Sequence, residues 1–213
     1  MQSTYKNNQI FVGSEGRKSL VDIQIPDDFN NKIILFAHGF MGYKDWGCWN
    51  LMQTYFVDRQ FGFCKYNVAH NGLSIDNNRD FVDLEAFSIN TYSKEVFDLL
   101  AVLTWLENEL GSLPEIHLVG HSRGGGIALL NANDQRITSI STLTPRGRLC
   151  TGTVTNWRRR SPGCSTSRET LIGGGSRRGA SVRWIQMRGS FSADFTVYTY
   201  SKRDWPRGSG LRW

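Results

Sequence analysis

Histidine is scarce in this sequence and ends early: His38, His70, His117 and His121 are all there is, and residues 122–213 contain none. Any chemistry that needs an imidazole as proton acceptor is restricted to those four positions. Long apolar runs are missing too. No stretch approaches the roughly 20 apolar residues of a membrane-spanning helix. The opening "MQSTYKNNQIFVG" also lacks the cationic head and apolar run of a secretory leader, so a cytoplasmic location and no membrane partner are expected. Cys48, Cys64, Cys150 and Cys164 show no C-x-x-C pairing and no accompanying histidine spacing, which argues for free thiols and against a zinc or disulfide role.

Acidic residues are nearly absent from the last third. Residues 1–142 carry 11 Lys+Arg against 16 Asp+Glu, a net −5, whereas residues 143–213 carry 14 against 3, a net +11; together they make the formal +6 of the chain. Thirteen of those 14 basic residues are Arg, scattered among Gly, Ser and Trp with no sustained apolar period. The segment reads as irregular or disordered, and its composition looks like a shifted reading frame. Arg158–Arg160 and "GGGSRRG", with Trp157, Trp184 and Trp205, resemble an Arg-rich nucleic-acid segment, but no motif organises them. A nucleic-acid partner is therefore not expected.

Residues 1–142 alternate between strand and helix patterns. "QIFVG" (9–13), "VDIQIP" (21–26), "KIILFAHG" (32–39), "FGFCKYNVAHNG" (61–72), "EIHLVGHS" and "RITSISTL" (136–143) read as strands; "CWNLMQTYFVDRQ" (48–60), 90–111 and "RGGGIALLNAND" read as helices. In 90–111 the residues Val96, Leu99, Leu100, Leu103, Leu106 and Leu110 fall at helical spacing, a core stripe that Gly111 terminates. The pattern predicts an α/β fold: a doubly wound, mostly parallel sheet covered on both faces, with the regular sheet stopping near residue 143.

Gly-His-Ser-Arg-Gly at 120–124 follows the apolar run "IHLV" and opens a glycine-rich helix. A G-x-S-x-G turn of this kind mounts a serine hydroxyl on a tight strand-to-helix bend, where the helix amides and dipole favour developing negative charge. Upstream, "LFAHGFMG" ends a buried strand and leads into a loop able to turn an amide toward the serine. The backbone N–H groups of Phe40 and Arg123 then form a candidate oxyanion hole around Ser122. Gly124–Gly126 read as close helix–strand packing, since neither a P-loop nor a G-x-G-x-x-G pattern is present, and no cofactor is expected.

The ordered set "HGFMG", "YNVAHNG" and "GHSRGGGIAL" resembles the α/β-hydrolase family, in particular its small bacterial esterase-like, dienelactone-hydrolase-like or serine-peptidase-like members. The resemblance covers residues 1 to about 142. It implies a Ser122 nucleophile without fixing the substrate class; the expected partner is a small-molecule acyl substrate such as a carboxylic ester, with His38, Met41 and His70 as candidate pocket positions. It also implies partners in the order Ser, Asp or Glu, then His. No histidine follows Ser122, and none of Asp134, Glu169, Asp194 and Asp204 is carried over as the acid. His70, at the end of a strand, is the strongest substitute base, against a reading as a loop anchor. Three functions stay open: a serine hydrolase with impaired activity, a non-catalytic binding protein on the same frame, and a nucleic-acid binder through the basic segment.

Overall fold

The computed structural model describes residues 4–145 and 195–201. Strand β1 (Thr4–Val12) is followed by a 3-10 turn at Ser14–Gly16, then β2 (Lys18–Ile25), β3 (Lys32–Ala37), α1 (Trp49–Val57), β4 (Gly62–Tyr66), α2 (Leu84–Ser88), α3 (Tyr92–Leu110), β5 (Glu115–His121), α4 (Arg123–Leu130), β6 (Ile137–Pro145) and β7 (Phe195–Ser201). One sheet holds all seven strands in the order β1-β2-β4-β3-β5-β6-β7. The middle strands β4, β3, β5 and β6 run parallel, while β1–β2, β2–β4 and β6–β7 pair antiparallel. The sheet is thus mixed, with its parallel part confined to the centre.

Burial explains the division. "IILFA" in β3 is buried at every position because helices cover both faces of a central parallel strand. From Val21 onward β2 alternates: Val21, Ile23 and Ile25 join the core that α3 and α4 cover, together with Leu35, Leu99, Leu103 and Ile127. Asp22 and Gln24 point to the other face, under α1. There Trp49 and Met52 pack on Ile34, Phe36, Phe63 and Val119. Helix α3 starts at Thr91, whose side chain accepts from the Lys94 amide, and stops where Gly111 takes φ 73°. Its fully buried stripe is Leu99, Val102, Leu103 and Leu106, with Val96, Leu100 and Leu110 packed at its margin.

Three departures from the sequence reading have local causes. Strand β4 stops at Tyr66, well before Gly72. The Asn67 amide still donates to Leu20 O of β2, but the two after it bond to side chains instead: Val68 N–H donates to His38 Nε2 and Ala69 N–H to Asp98 Oδ2. A short helix, α2, forms between Gly72 and residue 90, a segment to which the sequence reading assigns neither strand nor helix, capped by Asp83 on the Ala86 amide. The sheet also continues past residue 143, because β6 runs to Pro145 and Phe195–Ser201 adds an antiparallel seventh strand. The expectation of an irregular Arg-rich segment falls, for residues 146–194 and 202–213, outside the described residues.

Connection β3–α1–β4 winds toward one edge of the sheet, and β4–α3–β5 returns across β3 to the other side. The reversal places a topological switch point at the carboxyl ends of β3 and β5, the place where open α/β sheets bind ligands. The loop from His38 and the turn at Ser122 both emerge there.

Candidate active site

Ser122 sits between β5 and α4 at φ 51°, ψ −113°, a conformation that costs a non-glycine residue about 1–3 kcal/mol. Two hydrogen bonds and one close backbone approach hold the turn. The Ser122 amide donates to Leu143 O at 2.8 Å, its carbonyl accepts from the Gly125 amide at 3.0 Å, and a Cβ on Gly120 would lie 2.3 Å from Gly124 O. The turn therefore closes only with glycine at 120. Residue 122 is exposed, standing above the sheet.

The loop after β3 presses against this turn. A Cβ on Gly39 would lie 3.2 Å from Ser122 Cβ, and a Cβ on Gly124 would lie 2.3 Å from Ala37 O and 2.4 Å from His38 O. Gly39 O accepts from the Gly42 amide at 3.0 Å, and Met41 takes φ 53° inside that turn. Phe40 and Met41 are exposed on this loop. Among the described residues no other backbone group engages the amides of Phe40 and Arg123.

Each histidine has a distinct place. His38 is buried; Nε2 accepts from the Val68 amide at 3.2 Å, so Nδ1 carries the proton and donates to Gly39 O at 2.9 Å. Burial, with a smaller push from His121 and opposed by the Gly39 bond, lowers its pKa to about 4. His38 is a neutral brace for the loop. His70 is buried as well: Nδ1 lies 3.0 Å from Ser14 Oγ and Nε2 3.1 Å from Glu15 Oε2. Both nitrogens are taken by the turn between β1 and β2, so the ring has no nitrogen to offer a serine proton. His117 Nδ1 lies 2.7 Å from Ser139 Oγ across β5 and β6. The His121 ring lies against Trp49 at 4.9 Å between centroids, and burial lowers its pKa.

Two groups of residues reach the site without a signal read from the sequence. The first is a buried cluster that fastens the loop after β3. Lys44 Nζ bonds to Asp22 Oδ2 at 2.9 Å and to Asp45 Oδ2 at 2.5 Å, and Lys65 Nζ bonds to Asp45 Oδ1 at 2.6 Å and to Asn50 Oδ1. The Lys44 amide also donates to Asn67 Oδ1 at 2.7 Å. The alternation of Asp22 and Gln24 with apolar residues in β2 was the available clue, because a polar residue on a covered strand face needs partners. The second group surrounds Arg123. Its Nε donates to Glu95 Oε1 at 2.7 Å, and its guanidinium lies 4.3 Å from the Tyr92 ring centre and 5.9 Å from that of Phe40. Burial raises the Glu95 pKa, opposed by the adjacent Arg123 and Asn90. A carboxylate on the apolar face of α3 was the clue here.

No protein-family model matches the chain, and no curated protein matches it. Solved structures do. A dienelactone hydrolase from Anabaena variabilis aligns at TM-score 0.52 and 17% identity over 66% of this chain and 62% of that one. A thermostable carboxyl esterase from Bacillus coagulans aligns at TM-score 0.52 and 17% identity over 65% of this chain and 44% of its own. A ferulic-acid-bound protein from Butyrivibrio proteoclasticus aligns at TM-score 0.50 and 20% identity over 62% and 51%. The matched part spans less than two thirds of each of these proteins. The described residues have the α/β-hydrolase fold, as the elbow and loop motifs implied.

Among the described residues no helix is long and apolar enough to cross a membrane, and no group of three or more His, Cys, Asp or Glu is placed to hold a metal ion.

Proposed function

We propose that this chain is a serine hydrolase for carboxylic esters or related small acyl compounds, with Ser122 as nucleophile and the amides of Phe40 and Arg123 as oxyanion donors. The observation that carries the reading is the exposed serine at φ 51° on top of β5, in contact with the loop from His38. Ser122 Oγ bonds to the carbonyl carbon, and the carbonyl electron pair moves onto oxygen, where the two amides receive the charge. Collapse breaks the carbon–alkoxide bond, and the alcohol leaves with the proton that Ser122 lost; water then adds to the acyl carbon, releasing the acid and returning a proton to Ser122 Oγ.

The serine proton is the weak point. Residues 123–213 contain no histidine, and His38 and His70 have both nitrogens engaged. Loss of the triad base costs roughly 10⁴-fold or more in rate, while an oxyanion hole retains about 10³ over water. Turnover by the 213 residues is therefore slow, and the same engaged imidazoles favour a second reading, a non-catalytic protein that binds acyl compounds beside Ser122.

Fluorophosphonate labelling of the full chain separates the two. Slow labelling that disappears in Ser122→Ala is expected. A chain that melts cooperatively but stays unlabelled refutes the nucleophile and leaves the binding reading.

A further inference from the structure

We propose that the side chain of Arg123 is a carboxylate-recognising subsite beside Ser122, so that the compound accepted there carries its own carboxylate next to a planar apolar body. The inference deepens the reading of Ser122 as the reactive centre and rests on it for the location of the site, not for the binding.

Arg123 is the residue after Ser122 and the first of α4. A guanidinium offers two edges to a carboxylate: the side formed by Nε and one terminal nitrogen, and the end formed by both terminal nitrogens. Glu95 uses Nε at 2.7 Å, and Glu95 is itself held by Asn90 Nδ2 at 2.7 Å. The terminal nitrogens of Arg123 have no acceptor among the described residues, so the end edge is oriented and open.

The surroundings are those of a binding site. The side chain of Arg123 is 20% exposed and that of Glu95 is 5% exposed, so the pair is largely shielded from water and competing salt. Tyr92 and Phe40, at 50% and 60% exposure, flank the guanidinium, and Phe40 also contacts Phe87 at 5.4 Å between centroids. Phe40 contributes one proposed oxyanion amide, which puts the cation and the reacting carbonyl against the same residue. A ligand carboxylate leaves one net negative charge on the Glu95–Arg123–ligand set. It lies at the N-terminus of α4, where the helix dipole and the first amides favour an anion. A pair that only tied α4 to α3 would need the Glu95 contact alone; it accounts neither for the two exposed rings nor for the open edge.

The test uses the unmodified full chain, with benzoate and benzamide as probes and dissociation constants measured by ligand-observed NMR. Benzoate is expected to bind about tenfold or more tightly than benzamide, since hydrogen bonds to a charged group are the stronger kind. In Arg123→Gln the two probes are expected to bind equally when measured below the variant's melting temperature, which falls because buried Glu95 loses its charged partner. Equal binding of both probes by the unmodified chain overturns the subsite, and so does a benzoate preference that survives in Arg123→Gln. If that variant does not fold, Arg123→Lys keeps the charge without the planar edge and is expected to lose most of the preference; full retention overturns the proposal. A benzoate preference without Ser122-dependent labelling supports the subsite and rejects catalysis; labelling without a preference does the reverse.

Discussion

Two glycines two residues apart in α4 make opposite predictions. At Gly124 an added Cβ would meet Ala37 O at 2.3 Å and His38 O at 2.4 Å, both backbone atoms. Ordinary carbon–oxygen contacts begin near about 3.3 Å, so Gly124→Ala forces the helix start and the β3 loop apart by about 1 Å. Overpacking of that kind costs about 1–3 kcal/mol. The better helix propensity of alanine returns about 0.5–1 kcal/mol. The clash wins by about 1–2 kcal/mol, and at roughly 2–4 °C per kcal/mol the melting temperature falls by about 2–8 °C. At Gly126 the nearest atom to a new Cβ is Tyr92 Cε1 at 3.7 Å, an ordinary contact. There the propensity term stands alone, and Gly126→Ala is expected to gain about 0.5–1 kcal/mol. Thermal unfolding of the two full-length variants beside the parent is the assay. A Gly124→Ala chain as stable as the parent, or a Gly126→Ala chain that falls equally, refutes the close approach of α4 to β3. If the helix start sets the oxyanion geometry, Gly124→Ala also slows Ser122 labelling by about 10²-fold, the usual effect of a 1 Å misplacement.

The buried cluster under α1 gives a second test. Asp22→Asn leaves Lys44 and Lys65, each with a side chain only 1% exposed, to share Asp45; breaking a buried pair in this way costs about 3–5 kcal/mol, and an unchanged denaturation midpoint would contradict it. Stability is also expected to fall with acid because of His38. Its folded pKa of about 4 lies below the unfolded value near 6.5, so the unfolded chain binds the extra proton between those limits. The contribution is complete above about pH 6.5, is lost as pH falls toward 4, and amounts to about 3 kcal/mol. His117 and His121, also lowered by burial, act in the same sense, whereas Glu95 and Asp98, raised by burial, favour the folded state at lower pH. Urea unfolding between pH 4 and 7 on the parent and His38→Asn checks the sign: the variant should lose much of the slope, and an identical slope would remove His38 as its source.

Apart from α2 and β7, the element types and the elbow pattern were determined by the sequence itself, because both are local. The alternation in β2, the continuous apolar run of β3, the 3.6-residue stripe ending at Gly111 and the glycines around Ser122 each express preferences within a few residues. What the four histidines do was decided elsewhere. His38 and His70 have similar sequence settings, after a strand and before a glycine turn. Their partners, however, lie 30 residues away at Val68 and 55–56 residues away at Glu15 and Ser14. Arg123 finds Glu95 28 residues back, and Lys44 finds Asp22 across two strands. These meetings require the strand order β1-β2-β4-β3-β5-β6, in which the crossovers bring distant segments side by side. A one-dimensional pattern shows which face a residue takes, but the charge or hydrogen bond that faces it comes from a strand or helix placed there by the fold.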